Sequence, residues 1–288
     1  MPSETVGLVG VGLLGSALAE RLRGGGFRVF GFDLDPACRE KLLALGGEAA
    51  DSASQVAAAC RRIVFSLPHS GVVARLLDEI GAQLQPGTIV VDTTTGDPDE
   101  VAGFGERLAA QGVEYLDATI AGSSRQVRAG DAVVMAGGDA EAYARCAELF
   151  ACIARRAFHV GLCGSGARMK LVVNLVLGLN RAVLAEGLAF AAACGIRPAE
   201  ALEVLKAGPA YSRVMDTKGD KMLCGDFQPE ARLSQHLKDV RLILASGQRC
   251  GARLPLSTVH CTLLEQLEAA GFGAADNSAI IEAFRPKS

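Results

Sequence analysis

Three glycines near the start of the chain have the spacing of a phosphate-binding turn. They lie between an apolar run and a helical pattern, in the segment Gly10-Val11-Gly12-Leu13-Leu14-Gly15. In such a turn the first glycine allows a tight reversal, the second lets the backbone approach a pyrophosphate, and the third lets the helix pack closely on the strand. The N–H groups at the start of that helix face the phosphate oxygens. The pattern predicts a dinucleotide site, with a glycine-rich turn that binds no nucleotide as the alternative.

An acidic residue at the end of the second β-rich run indicates which dinucleotide is bound. Asp33 follows Gly15 by 18 residues, close to the ~20 expected of a carboxylate that accepts hydrogen bonds from the ribose. A carboxylate at this position repels a 2′-phosphate. The next residue is Leu34 rather than an arginine, and Arg39 is expected a helical turn or more away. We therefore predict NAD as the cofactor, with NADP less favoured.

A lysine and an asparagine interrupt the most apolar part of the chain. Lys170 and Asn174 are four residues apart, so they lie on one face of a helix. A lysine is rarely buried unless it has a partner or a function. The pair therefore has two interpretations. Either it has a chemical role, or Lys170 reaches solvent while Asn174 makes a structural hydrogen bond.

The first half of the chain alternates the strands and helices that would position these residues. Short β-rich runs predict strands at 6–9, 28–32, 63–67, 89–91, 114–116 and 132–135. Helical patterns lie between several of them, at 16–23, 36–45, 71–80 and 97–111. This alternation, with short turns that contain glycine and proline, predicts an α/β fold with a Rossmann-like, doubly wound parallel sheet.

The second half shows no strand pattern and predicts an all-helical domain. Residues 166–194 form one apolar pattern without proline, a helix roughly 40 Å long. Further helices are predicted at 198–206, 236–248, 257–270 and 277–284. We place an NAD-binding domain at 1–163 and a helical substrate and dimerisation domain at 164–288, joined by the long helix. Because this helix is apolar nearly all round, we expect it to be buried between layers or in the interface of a homodimer or homotetramer.

Composition excludes several other classes of function. The chain has 29 Lys and Arg against 32 Asp and Glu, 5% aromatic residues and no tryptophan, whereas a nucleic-acid partner requires clustered cations and stacking rings. Charged residues interrupt the apolar run around Lys170, which argues against a membrane span. The nine cysteines lack metal-binding spacing, so we expect reduced thiols and no metal site. The first residues lack a secretion-signal pattern, so we expect a cytoplasmic location.

Several segments share their residues and spacing with the motifs of one enzyme family. They are 7–15, Leu67-Pro68, 92–98, Gly164-Ser165-Gly166 with Lys170 and Asn174, Lys238-Asp239, and 271–279. In these segments the chain resembles the β-hydroxyacid dehydrogenases, which include 3-hydroxyisobutyrate dehydrogenase and the glyoxylate/succinic semialdehyde reductases. The resemblance extends over nearly the whole chain, with Leu14 where a methionine is usual.

The resemblance implies hydride transfer between a nicotinamide cofactor and a small β-hydroxy acid or semialdehyde, similar to 3-hydroxyisobutyrate. Lys170 would be the general acid/base and Asn174 would hold the substrate. The residues that would contact the cofactor are those of the glycine segment 10–15, Asp33, Leu67, Pro68, Thr95 and Lys238.

One loop departs from the family pattern. The family's D-A-P-V-S-G-G is replaced by Asp117-Ala118-Thr119-Ile120-Ala121-Gly122-Ser123. Ala121 stands in place of the usual serine, and Ser123 in place of the second glycine. The Gly-Ser pair is similar to that of the glyoxylate/succinic semialdehyde reductases, and Gly122, Ser123 and Ser124 would bind the substrate there. The loss of a hydroxyl at residue 121 leaves the substrate open.

Other functions remain as alternatives. The chain could be a catalytically silent NAD-binding sensor on the same fold. His236 and Asp239, at i and i+3, compete with Lys170 as a base couple. Imine reductases on this scaffold usually lack the lysine, and 6-phosphogluconate dehydrogenase has a much larger helical domain, so both are disfavoured.

Overall fold

The computed structural model describes residues 4–285, which separate into two compact units, one ending at Lys170 and one beginning at Leu171. Within these residues the first unit contains one eight-stranded sheet, in the order β3-β2-β1-β4-β5-β6-β7-β8. The strands are β1 (Thr5–Val9), β2 (Arg28–Phe32), β3 (Glu48–Ala49), β4 (Arg62–Phe65), β5 (Ile89–Asp92), β6 (Glu114–Ala121), β7 (Val133–Gly137) and β8 (Arg156–Gly161).

The helices of the first unit connect these strands and cover both faces of the sheet. They are α1 (Leu13–Gly24), α2 (Pro36–Ala44), α3 (Ala53–Ala59), α4 (Ser70–Ile80), α5 (Pro98–Ala109), α6 (Ser124–Arg128), α7 (Ala140–Arg145) and α8 (Ala147–Ile153). Side chains alternate along each strand. Val64 therefore belongs to the core on the α1 face, whereas Ile63 and Phe65 belong to the core on the opposite face. This two-sided burial produces the apolar strand runs and confirms the predicted Rossmann-like fold.

The strands from β3 to β6 run parallel, and the chain reverses its direction of winding at β1. β1 pairs with β2 on one side and with β4 on the other. The carboxyl ends of β1 and β4 therefore border the topological switch point, where open α/β sheets bind their ligands. One pair differs from the predicted all-parallel sheet, because β6 and β7 are antiparallel.

Two strand predictions needed correction. The strand predicted to end at residue 116 continues to Ala121, because Asp117 and Thr119 are buried although they are polar. The short β3 and the edge strand β8 were not predicted at all. All six residues of β8 are exposed or half-buried, so its apolar pattern is weak.

The second unit is helical, as predicted. Its helices are α9 (Ser165–Ala193, which begins in the first unit), α10 (Pro198–Ala207), α11 (Arg213–Cys224), α12 (Leu233–Arg249) and α13 (Pro255–Ala269), followed by a 3₁₀ segment at Asn277–Ala283. Helix α11 was missed by the sequence analysis, since its buried face includes Lys218 and Gly219 between apolar residues. Residues 277–283 form a 3₁₀ segment rather than the expected α-helix.

Helix α9 has one buried side and one exposed apolar side. Leu184, Ala185 and Leu188 belong to the core of the second unit, whereas Val183 and Phe190 are 67% and 70% exposed. By length and composition alone α9 could cross a membrane. Its two buried or half-buried cations, Lys170 and Arg181, are typical instead of the core helix of a globular unit.

Candidate active site

The residues predicted to bind the dinucleotide follow the carboxyl ends of neighbouring parallel strands. The glycine turn follows β1, Asp33 follows β2, Leu67 follows β4 and Thr95 follows β5. Because these strands are adjacent and parallel, their carboxyl ends meet at one edge of the sheet. The fold thus brings together four segments that the sequence separates by up to 85 residues (95 − 10).

The glycine turn has the geometry that a pyrophosphate requires. Gly10 has φ +93°, and a Cβ there would clash with the carbonyl oxygen of Ser66. Gly12 is the N-cap of α1 without a side-chain cap, and apart from its chain neighbours no described residue lies within 4 Å of where its Cβ would be. The first N–H groups of α1 therefore face open space, and a phosphate can reach them. The turn fits a dinucleotide.

Asp33 is held in place by backbone donors of the same turn. Its Oδ2 accepts the Val11 N–H at 2.6 Å, and its Oδ1 accepts the Asp35 N–H at 2.9 Å. Each carboxylate oxygen keeps a second lone pair for a ribose hydroxyl. The prediction for Arg39 was wrong: its guanidinium donates to the carbonyl of Asp33 at 2.6 Å and lies over the Phe32 ring. Helix α2 begins only four residues after the end of β2. The Arg39 side chain can therefore extend back from α2 to the end of β2.

The segments after β4 and β5 are tied to each other. The Leu67 N–H donates to the Thr94 hydroxyl at 3.2 Å, and the Thr93 hydroxyl donates to the Phe65 carbonyl at 2.7 Å. Leu67 and Thr95 are half-buried and Pro68 is exposed. These bonds fix two loops at the edge where the glycine turn opens, which agrees with a cofactor contact for Leu67, Pro68 and Thr95. That contact stays a prediction.

Lys170 lies at the start of α9, beside the end of β6. Its Nζ donates to the carbonyl of Ile120 at 2.5 Å, and the side chain is half-buried. Lys170 therefore does not simply extend into solvent. The hydrogen bond aims the amine toward the end of β6, which is followed by the predicted substrate loop.

The predicted substrate loop begins helix α6. Ser123 is the N-cap of α6 and forms a capping box with Gln126: its Oγ accepts the Gln126 N–H, and the Gln126 side chain accepts the Ser123 N–H. The Ser123 hydroxyl therefore already has a partner within the chain. Gly122 and Ser123 are exposed and Ser124 is half-buried. A substrate contact for these three residues is compatible with this geometry and stays a prediction.

In the second unit, Asn174 belongs to a polar cluster with α12. Its Nδ2 donates to Asp239 Oδ2 at 3.0 Å, and Lys238 Nζ lies 3.3 Å from Asp239 Oδ1. Asn174 is buried, so this bond is one structural role for it. The substrate role of Asn174 and the cofactor role of Lys238 stay predictions.

The alternative base, His236, lies in the core of the second unit. Its ring packs 5.2 Å from the ring of His260 and against Gly178 of α9. Burial lowers the pKa of His236 well below its usual value, and the nearby Arg181 lowers it further. A weakly basic, 7% exposed imidazole is a poor general base. The geometry favours Lys170.

Two buried acids at the sheet edge had no role in the sequence analysis. Asp117 follows the predicted end of its strand and is 2% exposed. Burial raises the pKa of Asp117 to about 6, although its hydrogen bonds from the Ala167 and Gly164 N–H groups act to lower it. Burial also raises the pKa of Asp92 to about 6, and Asp92 accepts the Tyr115 hydroxyl at 2.5 Å. The period-2 spacing of Asp117 and Thr119 was the available signal, because it puts both on one face of a strand.

Comparison with known proteins identifies the family. Residues 5–161 match the family described as the NAD binding domain of 6-phosphogluconate dehydrogenase. Residues 164–284 match the family described as NAD-binding of NADP-dependent 3-hydroxyisobutyrate dehydrogenase. The chain belongs to the β-hydroxyacid dehydrogenase family. As a β-hydroxyacid dehydrogenase it is an NAD(P)-dependent oxidoreductase.

Individual relatives of this β-hydroxyacid dehydrogenase match over nearly their whole length. The 2-(hydroxymethyl)glutarate dehydrogenase of Eubacterium barkeri is 31% identical over 97% of this chain and 94% of its own. The L-threonate dehydrogenase of Cupriavidus necator is 27% identical over 98% and 96%. Among solved structures, a 3-hydroxyisobutyrate dehydrogenase from Salmonella typhimurium is 26% identical, covers 97% of this chain and 99% of its own, and has a TM-score of 0.88.

Proposed function

We propose that this β-hydroxyacid dehydrogenase interconverts a small β-hydroxy acid and its semialdehyde, with Lys170 as the general acid/base. The observation that carries the proposal is the Lys170 Nζ, held at the Ile120 carbonyl beside the segment 122–124. Bound NAD(P) supplies the hydride acceptor or donor. In the oxidative direction a neutral Lys170 amine takes the proton from the substrate hydroxyl as the carbinol carbon loses its hydride. In the reductive direction its ammonium returns that proton to the alkoxide.

The remaining predicted residues bind and orient. The N–H groups at the start of α1 would hold the pyrophosphate, and Asp33 would accept from the ribose. Gly122, Ser123 and Ser124 would face the substrate carboxylate, and Asn174 would contact the substrate. Because Ser123 occupies the second glycine position, a reductase of the glyoxylate/succinic semialdehyde type is the second candidate.

The cofactor proposed is NAD. Asp33 places a carboxylate, already fixed by two N–H donors, where a 2′-phosphate would have to lie. The Arg39 guanidinium is nearby, but it donates to the backbone carbonyls of Asp33 and Leu34 and stacks on Phe32. The carboxylate is therefore the group best presented to the ribose.

We also propose self-association through α9, as a homodimer or homotetramer, in the cytoplasm. The exposed side of α9 carries Val172, Val176, Val183 and Phe190, each at least half exposed. An apolar strip of this length on a helix is typical of an interface. Sedimentation of wild type against Val183→Asp tests it: a dimer or larger in wild type and a smaller species in the variant support the interface, whereas a monomeric wild type overturns it.

The function is tested by following NADH absorbance. Purified protein is assayed with NAD⁺ or NADP⁺ and 3-hydroxyisobutyrate, L-threonate, 2-(hydroxymethyl)glutarate or γ-hydroxybutyrate, and in reverse with glyoxylate and succinic semialdehyde. We expect turnover with at least one compound, and a fall in kcat of about 10²–10⁴-fold in Lys170→Ala. NADH binding, measured by nicotinamide fluorescence, should be unchanged.

The matched control is Arg168→Ala. Arg168 is a cation two residues away in the same helical turn, but its side chain is 52% exposed and pairs with Asp99 at 3.0 Å. We expect its kcat to stay near that of wild type. Normal turnover in Lys170→Ala overturns the acid/base role. NADH binding without turnover on any compound overturns the proposed reaction and favours a sensor.

A further inference from the structure

The first turn of α9 is attached to β6 by buried side chains. Asp117 Oδ1 accepts the Gly164 N–H at 3.0 Å, and Asp117 Oδ2 accepts the Ala167 N–H at 2.7 Å. Two positions along the same face of the strand, the Thr119 hydroxyl donates to the Gly166 carbonyl at 2.9 Å. Both side chains are at most 2% exposed. Three hydrogen bonds, all shielded from water, therefore connect one strand face to one helical turn.

The helix also lies directly on the strand backbone. A Cβ at Gly166 would clash with the carbonyl oxygen of Asp117 and lie 2.7 Å from that of Met135. The glycine permits this close approach. One turn further along α9, Lys170 donates to the Ile120 carbonyl, so the lysine is held by β6 through both its helix and its Nζ.

The same strand carries the predicted substrate loop. β6 ends at Ala121, and Gly122, Ser123 and Ser124 follow without a break. Strand β6 therefore binds the proposed acid/base, Lys170, through the Ile120 carbonyl and continues directly into the predicted substrate loop. All of these residues belong to the first unit.

We propose that Asp117 and Thr119 are positioning residues that set Lys170 in register with the loop 122–124. This inference rests on the proposed role of Lys170. Neither side chain has to touch the substrate, because each acts through the backbone of the first turn of α9. A shift of about 1 Å in a catalytic group can reduce turnover by about 10²-fold.

The first test is a threonine series that keeps the shape of the side chain. Thr119→Val is nearly isosteric but cannot donate to the Gly166 carbonyl, whereas Thr119→Ser keeps the hydroxyl. We expect kcat in Thr119→Val to fall about 5- to 50-fold and kcat in Thr119→Ser to stay within about 2-fold of wild type. The KM for the cofactor and the NADH dissociation constant should not change, because the glycine turn and Asp33 are untouched.

The second test removes the carboxylate. Asp117→Asn keeps one acceptor oxygen, but its amide NH₂ meets the second N–H donor, so kcat should fall about 10- to 100-fold. Asp99→Asn is the control. It removes the charge of an exposed residue of α5 that pairs with Arg168 near the start of α9, and it should leave kcat unchanged. Rates are divided by the number of NADH-binding sites, which removes any loss of folded protein.

The outcomes separate this inference from the proposed function. If Lys170→Ala abolishes turnover while Thr119→Val and Asp117→Asn keep normal kcat per binding site, the positioning inference is wrong and the acid/base role stands. If the KM for the cofactor rises as kcat falls, or if Thr119→Ser loses as much kcat as Thr119→Val, the two residues support the fold in general and the inference is also wrong. Normal turnover in Lys170→Ala overturns both.

Discussion

The proposed preference for NAD, based on Asp33, gives a prediction whose size follows from the site. Asp33→Asn removes the negative charge and keeps one acceptor oxygen, for the Val11 N–H. Its NH₂ replaces the oxygen that accepts the Asp35 N–H, an exposed bond that water can replace. A hydrogen bond from a ribose hydroxyl to a charged acceptor contributes about 1.5–3 kcal/mol, so kcat/KM with NAD⁺ should fall about 10- to 150-fold. A 2′-phosphate about 4 Å from the carboxylate would meet a repulsion of about 4 kcal/mol at a near-surface dielectric. Removing the carboxylate charge removes this repulsion and should raise kcat/KM with NADP⁺ at least tenfold.

The assay is initial-rate kinetics with both cofactors at saturating substrate. Asp35→Asn is the matched control, because Asp35 is an exposed acid two residues away that accepts the Ala37 N–H as the N-cap of α2. In the control, kcat/KM with NAD⁺ and kcat/KM with NADP⁺ should each change by no more than about 2-fold. An equal fall with both cofactors in Asp33→Asn would refute the reasoning, because the carboxylate would then hold only the Val11 turn and would not discriminate at the ribose.

Two further predictions concern the stability of the second unit. Lys218 Nζ lies 2.9 Å from both oxygens of Asp276, which is 0% exposed. Burial alone would raise the pKa of Asp276, but Lys218 and backbone donors bring it to about 2. Lys218→Met should lower the free energy of unfolding by about 3–5 kcal/mol, measured as faster hydrogen exchange in peptides of α11. The control is Lys206→Met, which breaks a more exposed ion pair and should leave this exchange unchanged. Burial lowers the pKa of His260 from 6.5 to about 4, so protonation favours the unfolded chain and stability is lost as pH falls from 6.5 toward 4. His260→Asn should remove about 2 kcal/mol of the loss between about pH 7 and about pH 5; an equal pH dependence of α13 exchange in wild type and variant would contradict this.

The alternation of strands and helices and the position of the glycine turn could be predicted from the sequence because their causes are local. A short apolar run bounded by glycine and proline favours a strand, and a φ of +93° at residue 10 favours glycine. Spacing also singled out Asp33 and the pair Lys170 and Asn174 as candidates, and the family resemblance supplied the roles predicted for the pair. Their spacing along a strand end or a helix face is a property of the chain itself.

Contacts between distant segments could not be read in this way. The bonds from Asp117 to Gly164 and Ala167 join residues 47 and 50 positions apart. Arg39 was expected a helical turn or more from Asp33, and spacing along the sequence does not show that its guanidinium reaches the Asp33 carbonyl. The Ser123 hydroxyl was expected to face a substrate, and only the start of α6 shows that it caps a helix.

The sequence by itself thus determined the fold class, the dinucleotide turn and the identity of the chemical groups. Periodicity and backbone preference act over a few residues, so the sequence pattern by itself indicates these features. Tertiary structure decided where those groups point. Buried polar side chains must find hydrogen-bond partners, and the partner of Asp117 is the first turn of a helix that starts almost 50 residues later. That pairing depends on the packing of β6 against α9, which no local pattern encodes.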